Sequence, residues 1–136
     1  MNELKSIMES NVIIVRKDTS IYKAVEALKK YNITALPVVD EEGIIAGIIS
    51  EKDVLKLIYS QTDINATVED YMTKEIIAFR ETADILEVCE CLINNHFRRV
   101  PIVTEDGKIA GIVSRKDIIK YILEPIKTAG TAPIQR

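Results

Sequence analysis

Residues 8–58 recur as residues 72–122 with no insertion or deletion, and 19 of the 51 paired positions carry the same residue. A shift of 64 positions lays Met8 on Met72, Ile21 on Ile85, Leu28 on Leu92 and Pro37-Val38-Val39 on Pro101-Ile102-Val103. It also lays Gly43 on Gly107 and Ala46-Gly47-Ile48-x-Ser50-x-Lys52-Asp53 on Ala110-Gly111-Ile112-x-Ser114-x-Lys116-Asp117. A fixed-period repeat constrains the fold more than any local propensity, because each copy is one supersecondary unit. A unit of about 60 residues buries only a modest fraction of its surface alone, so the two copies are expected to share a core.

Each copy has the same internal order. A short β-rich stretch (Val12-Ile13-Ile14-Val15, or Ile76-Ile77-Ala78-Phe79) leads to an apolar helical stripe, Ile21, Ala24, Val25, Leu28 in one copy and Ile85, Val88, Cys89, Leu92 in the other. Ser20 and Asp84 are the expected N-caps, with Glu87 three residues beyond Asp84. Leu36-Pro37-Val38-Val39 and Val100-Pro101-Ile102-Val103 read as strands whose proline marks the beginning. Asp40-Glu41-Glu42-Gly43 and Thr104-Glu105-Asp106-Gly107 are hairpin turns with glycine where a positive φ is needed. A second strand, Ile44 to Ile49 or Lys108 to Val113, runs into a helix from Ser50 or Ser114 that ends near Tyr59 or Leu123. The expected unit is β-α-β-β-α, written twice, with short helices before each copy around Leu4 to Met8 and Val68 to Met72. Residues 1–64 form the first repeat with its short N-terminal helix, 65–124 the second, and 125–136 a loosely ordered tail.

Composition narrows the function classes. The chain of 136 residues is 47% apolar and 29% charged, with net charge −3, so no basic surface points to nucleic acid. Its apolar runs are broken well short of the roughly 20 residues a bilayer requires, and Met1-Asn2-Glu3-Leu4-Lys5 is no signal peptide, so a cytoplasmic protein without membrane partners is expected. Cys89 and Cys91 stand two apart on a helix and point away from each other, which argues against a disulfide between them, and Cys89 reads as a small core residue. His96 is the one histidine and has no cysteine-histidine spacing around it, so it is read as a helix-end or surface residue, and no metal site is expected. Neither a nucleophile–base–orienter set, nor Walker A spacing, nor a Gly-x-Gly-x-x-Gly run is present, and no catalytic residues are assigned.

The repeat, the Leu-Pro-Val-Val strand, the glycine hairpin and the Gly-Ile-Ile-Ser-x-x-Asp junction together resemble the cystathionine β-synthase-like (CBS) domain, here in the tandem arrangement of a Bateman module. The resemblance spans Ile7 to Leu123. It implies an α/β (α+β) fold of two pseudo-twofold units packed through their sheets, with two clefts that often hold adenosine nucleotides. It implies a regulatory module without chemistry of its own, and a homodimeric disc of four repeats acting on a regulated protein that the sequence does not name.

The residues supply reasons of their own. Ser114-Arg115-Lys116-Asp117 opens a helix whose first-turn N–H groups favour an anion, and the Asp117 carboxylate suits the two hydroxyls of a ribose. Ser-x-x-Asp before an apolar run is equally a capping box, which does not exclude a ligand on the aspartate. Ahead of the proline, His96-Phe97-Arg98-Arg99-Val100 replaces Asn32-Ile33-Thr34-Ala35-Leu36, so two cations stand where the first copy has none. Arg98 and Arg99 match a basic pair that contacts phosphate in nucleotide-sensing members of the family, a role suited to the paired, permanently charged donors of guanidinium. Solvated arginines, or arginines at a dimer contact, are the alternative.

By the same resemblance the main cleft comprises Thr19, Ile33, Thr34, Ala35, Arg98, Arg99, Ile112, Ser114 and Asp117. A weaker one comprises Ile48, Ser50 and Asp53 and lacks an arginine. The expected regulatory ligand is an adenine nucleotide (AMP, ADP or ATP), AMP foremost. The alternatives are a structural dimerisation module with vestigial clefts, or a binder of S-adenosylmethionine or another adenosyl ligand.

Overall fold

The structure is a computed structural model describing residues 4–60 and 63–128. Helix α1 (Leu4–Ile7) is followed by strand β1 (Val15–Arg16), helix α2 (Ile21–Lys30), strands β2 (Ala35–Val39) and β3 (Ile45–Ser50), and helix α3 (Glu51–Leu55), which tightens into a 3-10 turn (Lys56–Ile58). The second copy repeats this order: α4 (Val68–Tyr71), β4 (Phe79–Arg80), α5 (Ile85–Asn94), β5 (Arg99–Val103), β6 (Ile109–Ser114) and α6 (Arg115–Thr128). The strands make two three-stranded sheets, β1-β2-β3 and β4-β5-β6, each with one parallel and one antiparallel pairing. This is the expected mixed α/β architecture.

Local chemistry accounts for most boundaries. The Ser20 hydroxyl accepts from the Tyr22 N–H and the Asp84 carboxylate from the Leu86 N–H, starting α2 and α5 where sequence placed their caps. Gly43 and Gly107 both sit at φ +84°, the left-handed region that turns each hairpin. In the first turn Asp40 Oδ1 also accepts from the N–H groups of Glu42 and Ile44, at 2.8 and 3.1 Å.

Three boundaries differ from expectation. Residues 12–14 and 76–78 are not strand, because β1 and β4 pair only at Val15–Arg16 and Phe79–Arg80. Pro37 and Pro101 do not begin their strands but lie inside them, opposite Ile48 and Ile112. These are non-hydrogen-bonded pairs, since the N–H and C=O of Ile48 and Ile112 turn outward to other partners. The missing proline N–H therefore faces the side that β1 or β4, paired one residue later, does not reach. Helix α6 continues to Thr128, past Pro125, because one proline removes a single i→i−4 bond in the last turn. Residues 129–136 of the expected tail lie outside the described residues.

The two copies interlock. Leu4, from the helix before the first copy, is fully buried among Val88, Leu92, Val100, Ile102 and Val113 of the second. Ala66 and Val68, from the segment before the second copy, are buried among Ile21, Ala24, Leu28, Leu36, Val38 and Ile49 of the first. Full burial of a leucine side chain contributes about 1.5–3 kcal/mol, so each lead-in helix fastens one copy to the other. The outward groups of Ile112 form an antiparallel bridge with Glu9 (2.8 and 2.9 Å), and those of Ile48 form one with Thr73 (3.0 and 2.8 Å). A third bridge, Ile44 with Lys108, joins the two hairpins.

Gly47 and Gly111 permit that approach. A Cβ on Gly47 would stand 2.6 Å from the Thr73 carbonyl oxygen, and one on Gly111 2.8 Å from that of Glu9. The glycines shared by both Gly-Ile-x-Ser motifs are thus what lets the opposite copy's lead-in segment lie against the sheet.

Candidate functional site

The interlocking leaves two clefts related by the repeat. Strand β6 ends at Ser114 and α6 begins, so Ser114 and Asp117 form a capping box: the Ser114 N–H and hydroxyl donate to Asp117 Oδ2 at 2.8 and 3.0 Å, and the Asp117 N–H returns to Ser114 Oγ at 3.3 Å. Asp117 Oδ1 meets no donor among the described residues. Asp117 borders a cleft of about 220 Å³ whose other walls are Ser114, Ile112, the lead-in residues Glu9, Asn11, Val12 and Ile13, Ile33 and Ala35 from the first copy, and Arg99.

The first copy builds the counterpart. Ser50 and Asp53 make the same capping box, with the Ser50 N–H and hydroxyl each 3.0 Å from Asp53 Oδ2. Here the Thr73 hydroxyl also donates to Asp53 Oδ1 at 3.2 Å, and Asp53 is only 6% exposed. This cleft is larger, about 370 Å³, and its walls are Ile48, Glu75, Ile76, Ile77, Asn95, Phe97 and Arg99. The wall residues correspond under the 64-position shift with two exceptions: Asn95, whose counterpart Tyr31 does not line the Asp117 cleft, and Arg99, which lines both clefts.

The capping reading of Ser-x-x-Asp is thus met through one carboxylate oxygen, and at Asp117 the other accepts no hydrogen bond among the described residues. Of the residues expected in the main cleft, the structure brings together Ile33, Ala35, Arg99, Ile112, Ser114 and Asp117. Thr19, Thr34 and Arg98 are not among its walls. Their backbones do structural work instead: the Thr19 carbonyl accepts from Val68 N–H, that of Thr34 from Glu51 N–H, and that of Arg98 from Arg115 N–H. Side chains alternate in extended chain, so Ile33 and Ala35 share a face that Thr34 does not, and Phe97 and Arg99 share one that Arg98 does not.

The expectation that the Asp53 cleft lacks an arginine is corrected. Ile33 and Ala35 line the Asp117 cleft, so the same shift places Phe97 and Arg99 in the Asp53 cleft, where they are found. The repeat register contained this answer, as it did for the lead-in walls Glu9 to Ile13 and Thr73 to Ile77.

Beyond the clefts, a groove of about 420 Å³ runs between α5 and α6, lined by Cys89, Leu92, Ile93, Arg115, Ile118, Ile119 and Ile122. Cys89 lies in that groove, and it is Cys91 that packs against the core. Helix α5 is rotated slightly from the stripe read in the sequence. Both thiols are free, and burial pushes both above the ordinary thiol range. His96 is exposed, just beyond the end of α5. Among the described residues no helix is long and apolar enough to cross a membrane.

A family model for the CBS domain matches twice, over residues 4–60 and 68–124. The chain belongs to the CBS domain family. Its fold as a CBS pair is shared with CBSX2 crystallised in complex with AMP, at a TM-score of 0.80 and 30% identity, covering 91% of this chain and 97% of that one. It is similar also to the CBS domain pair of protein MJ0100 in complex with 5′-methylthioadenosine and S-adenosyl-L-methionine, at a TM-score of 0.74 and 30% identity over 88% of this chain and 94% of that one. Among curated proteins, a 17.7 kDa protein of Acidianus ambivalens is 33% identical over 90% of this chain and 74% of its own length. Protein MJ1225 of Methanocaldococcus jannaschii is 31% identical over 88% of this chain, which spans 42% of that protein.

Proposed function

We propose that this CBS pair is a regulatory module, not an enzyme, that binds an adenine nucleotide, AMP foremost, in the clefts between its repeats. The observation that carries the reading is the Asp117 carboxylate, fixed by its cap through Oδ2 and with Oδ1 unbonded among the described residues, in a cleft that Arg99 also lines. A ribose diol would donate to that oxygen, a purine would lie between Ile33 and Ile112, and a phosphate would meet the guanidinium. The AMP complex of CBSX2 supports the ligand class. Occupancy would alter a partner only as far as the ligand favours one packing of the repeats over another, a coupling typically of about 1–3 kcal/mol.

We place the protein in the cytoplasm as a homodimer that acts on a protein yet to be identified. Support for the dimer is the apolar outer surface, where Ile93 is 77% and Ile58 83% exposed. A second reading, an S-adenosylmethionine-type ligand, is favoured by the two carboxylates in each cleft, Glu9 with Asp117 and Glu75 with Asp53, which suit a cationic sulfonium, and by the MJ0100 complex.

Thermal-shift measurements with AMP, ADP, ATP, NADH and S-adenosylmethionine separate these readings. A ligand at 100 times its Kd adds about 2.7 kcal/mol of stability. AMP is expected to give the largest shift; a larger shift with S-adenosylmethionine favours the second reading, and no shift with any of them leaves only a dimerisation module.

A further inference from the structure

Arg99 opens β5, and the repeat shift pairs it with Ala35, whose methyl group reaches only the Asp117 cleft. Arg99 instead lines both clefts. No other lysine or arginine lines either of these clefts among the described residues. Arg99 is half-buried, and none of the ion pairs or side-chain hydrogen bonds among the described residues engages its guanidinium. A partly desolvated cation whose donors are not engaged in a close ion pair is costly, and an anion delivered to it recovers more than it would at an exposed lysine.

From this we infer that Arg99 couples the two clefts negatively: a phosphate-bearing ligand in one takes the guanidinium and weakens the binding of a second anionic ligand in the other. The inference rests on the reading of the clefts as nucleotide sites. A guanidinium held bidentate by one phosphate has its paired donors committed, so the second phosphate enters a cleft left with two carboxylates. The two phosphates, sharing one cation, also repel one another. An uncharged nucleoside makes no demand on Arg99, so its two binding events are independent.

Isothermal titration of the whole chain with AMP and with adenosine tests this, in the wild type, in Arg99→Gln, and in two variants that each fill one cleft, Ile48→Trp and Ile112→Trp, once thermal unfolding shows that they fold. Wild type is expected to bind two AMP with dissociation constants at least about tenfold apart, within the 5–150-fold range of typical couplings, while each of its two adenosine constants agrees within about threefold with that of the variant in which the other cleft is filled. In Arg99→Gln the tighter AMP site weakens and the two constants converge. Each cleft-filled variant binds one AMP about as tightly as the first wild-type site, because its rival for Arg99 is gone. One AMP per wild-type chain, with both filled variants still binding, is the strong limit of the same coupling. If a filled variant retains the weak wild-type constant or binds no AMP, the clefts are unequal and uncoupled and the inference fails; two equal AMP sites in the wild type overturn it likewise. No binding of either AMP or adenosine to the folded chain instead overturns the reading of the clefts, and the coupling with it.

Discussion

The hydroxyl of Thr73 donates to Asp53 Oδ1 at 3.2 Å, so a residue leading into the second repeat holds the carboxylate that caps a helix of the first. At the equivalent place Glu9 faces Asp117, and no such bond forms. One hydrogen bond to a buried charge contributes about 1.5–3 kcal/mol. Thr73→Val, which keeps the shape and removes the donor, is expected to lose about that much stability in urea denaturation. A midpoint unchanged from wild type would mean that the contact does not tie the repeats together.

The two aspartates should respond differently to truncation. Asp53→Ala leaves the Ser50 and Thr73 hydroxyls facing a nearly buried gap, so it should cost about 1.5–3 kcal/mol or more. Asp117→Ala loses a cap partner at a half-exposed helix start, about 1 kcal/mol, while Ser114 still caps α6. Its larger effect should be on AMP affinity. Equal stability losses with AMP binding untouched by Asp117→Ala would count against Asp117 as a ribose-binding group.

Glycines at two kinds of position separate conformational from steric demand. Gly43→Ala meets open space and should cost only the left-handed backbone penalty of about 1–2 kcal/mol. Gly47→Ala drives a methyl group to 2.6 Å from the Thr73 carbonyl oxygen, which is main chain and cannot rotate aside. Overpacking of that kind costs about 1–3 kcal/mol and here also pries Thr73 from Asp53, so Gly47→Ala should be the more damaging and should reduce ligand binding in the Asp53 cleft. Thermal unfolding of the two variants decides the order.

The groove between α5 and α6 bears on assembly. Leu86 and Ile93 stand exposed on one face of α5 and Ile119 and Ile122 on α6. Sedimentation velocity is expected to show a dimer for the wild type and a monomer of unchanged helix content for Ile93→Glu, since a charge in an apolar contact is left unpaired. A wild-type monomer at micromolar concentration would remove the homodimer from the account.

Much of this was legible because repetition doubles the evidence: caps, hairpin glycines and the junction to α3 and α6 stood at matched positions, and each copy vouched for the other. What escaped was chiefly non-local. That Leu4 is buried with the second copy and Val68 with the first depends on how two units interlock, which periodicity within one unit does not encode. The two central prolines misled because the rule confining proline to strand beginnings assumes a neighbour on both sides, and β1 and β4 are too short to supply one. The cleft walls were half-read. Position puts Ile33 and Ala35 in the Asp117 cleft, and the 64-position shift then puts their partners Phe97 and Arg99 in the Asp53 cleft, with Arg99 lining both.

A crystal structure of the chain grown with AMP tests the central claim most directly. The ribose hydroxyls are expected on Asp117 Oδ1, the purine between Ile33 and Ile112, and the phosphate on Arg99. AMP bound away from both interrepeat clefts, or clefts that stay empty at saturating AMP, would contradict it.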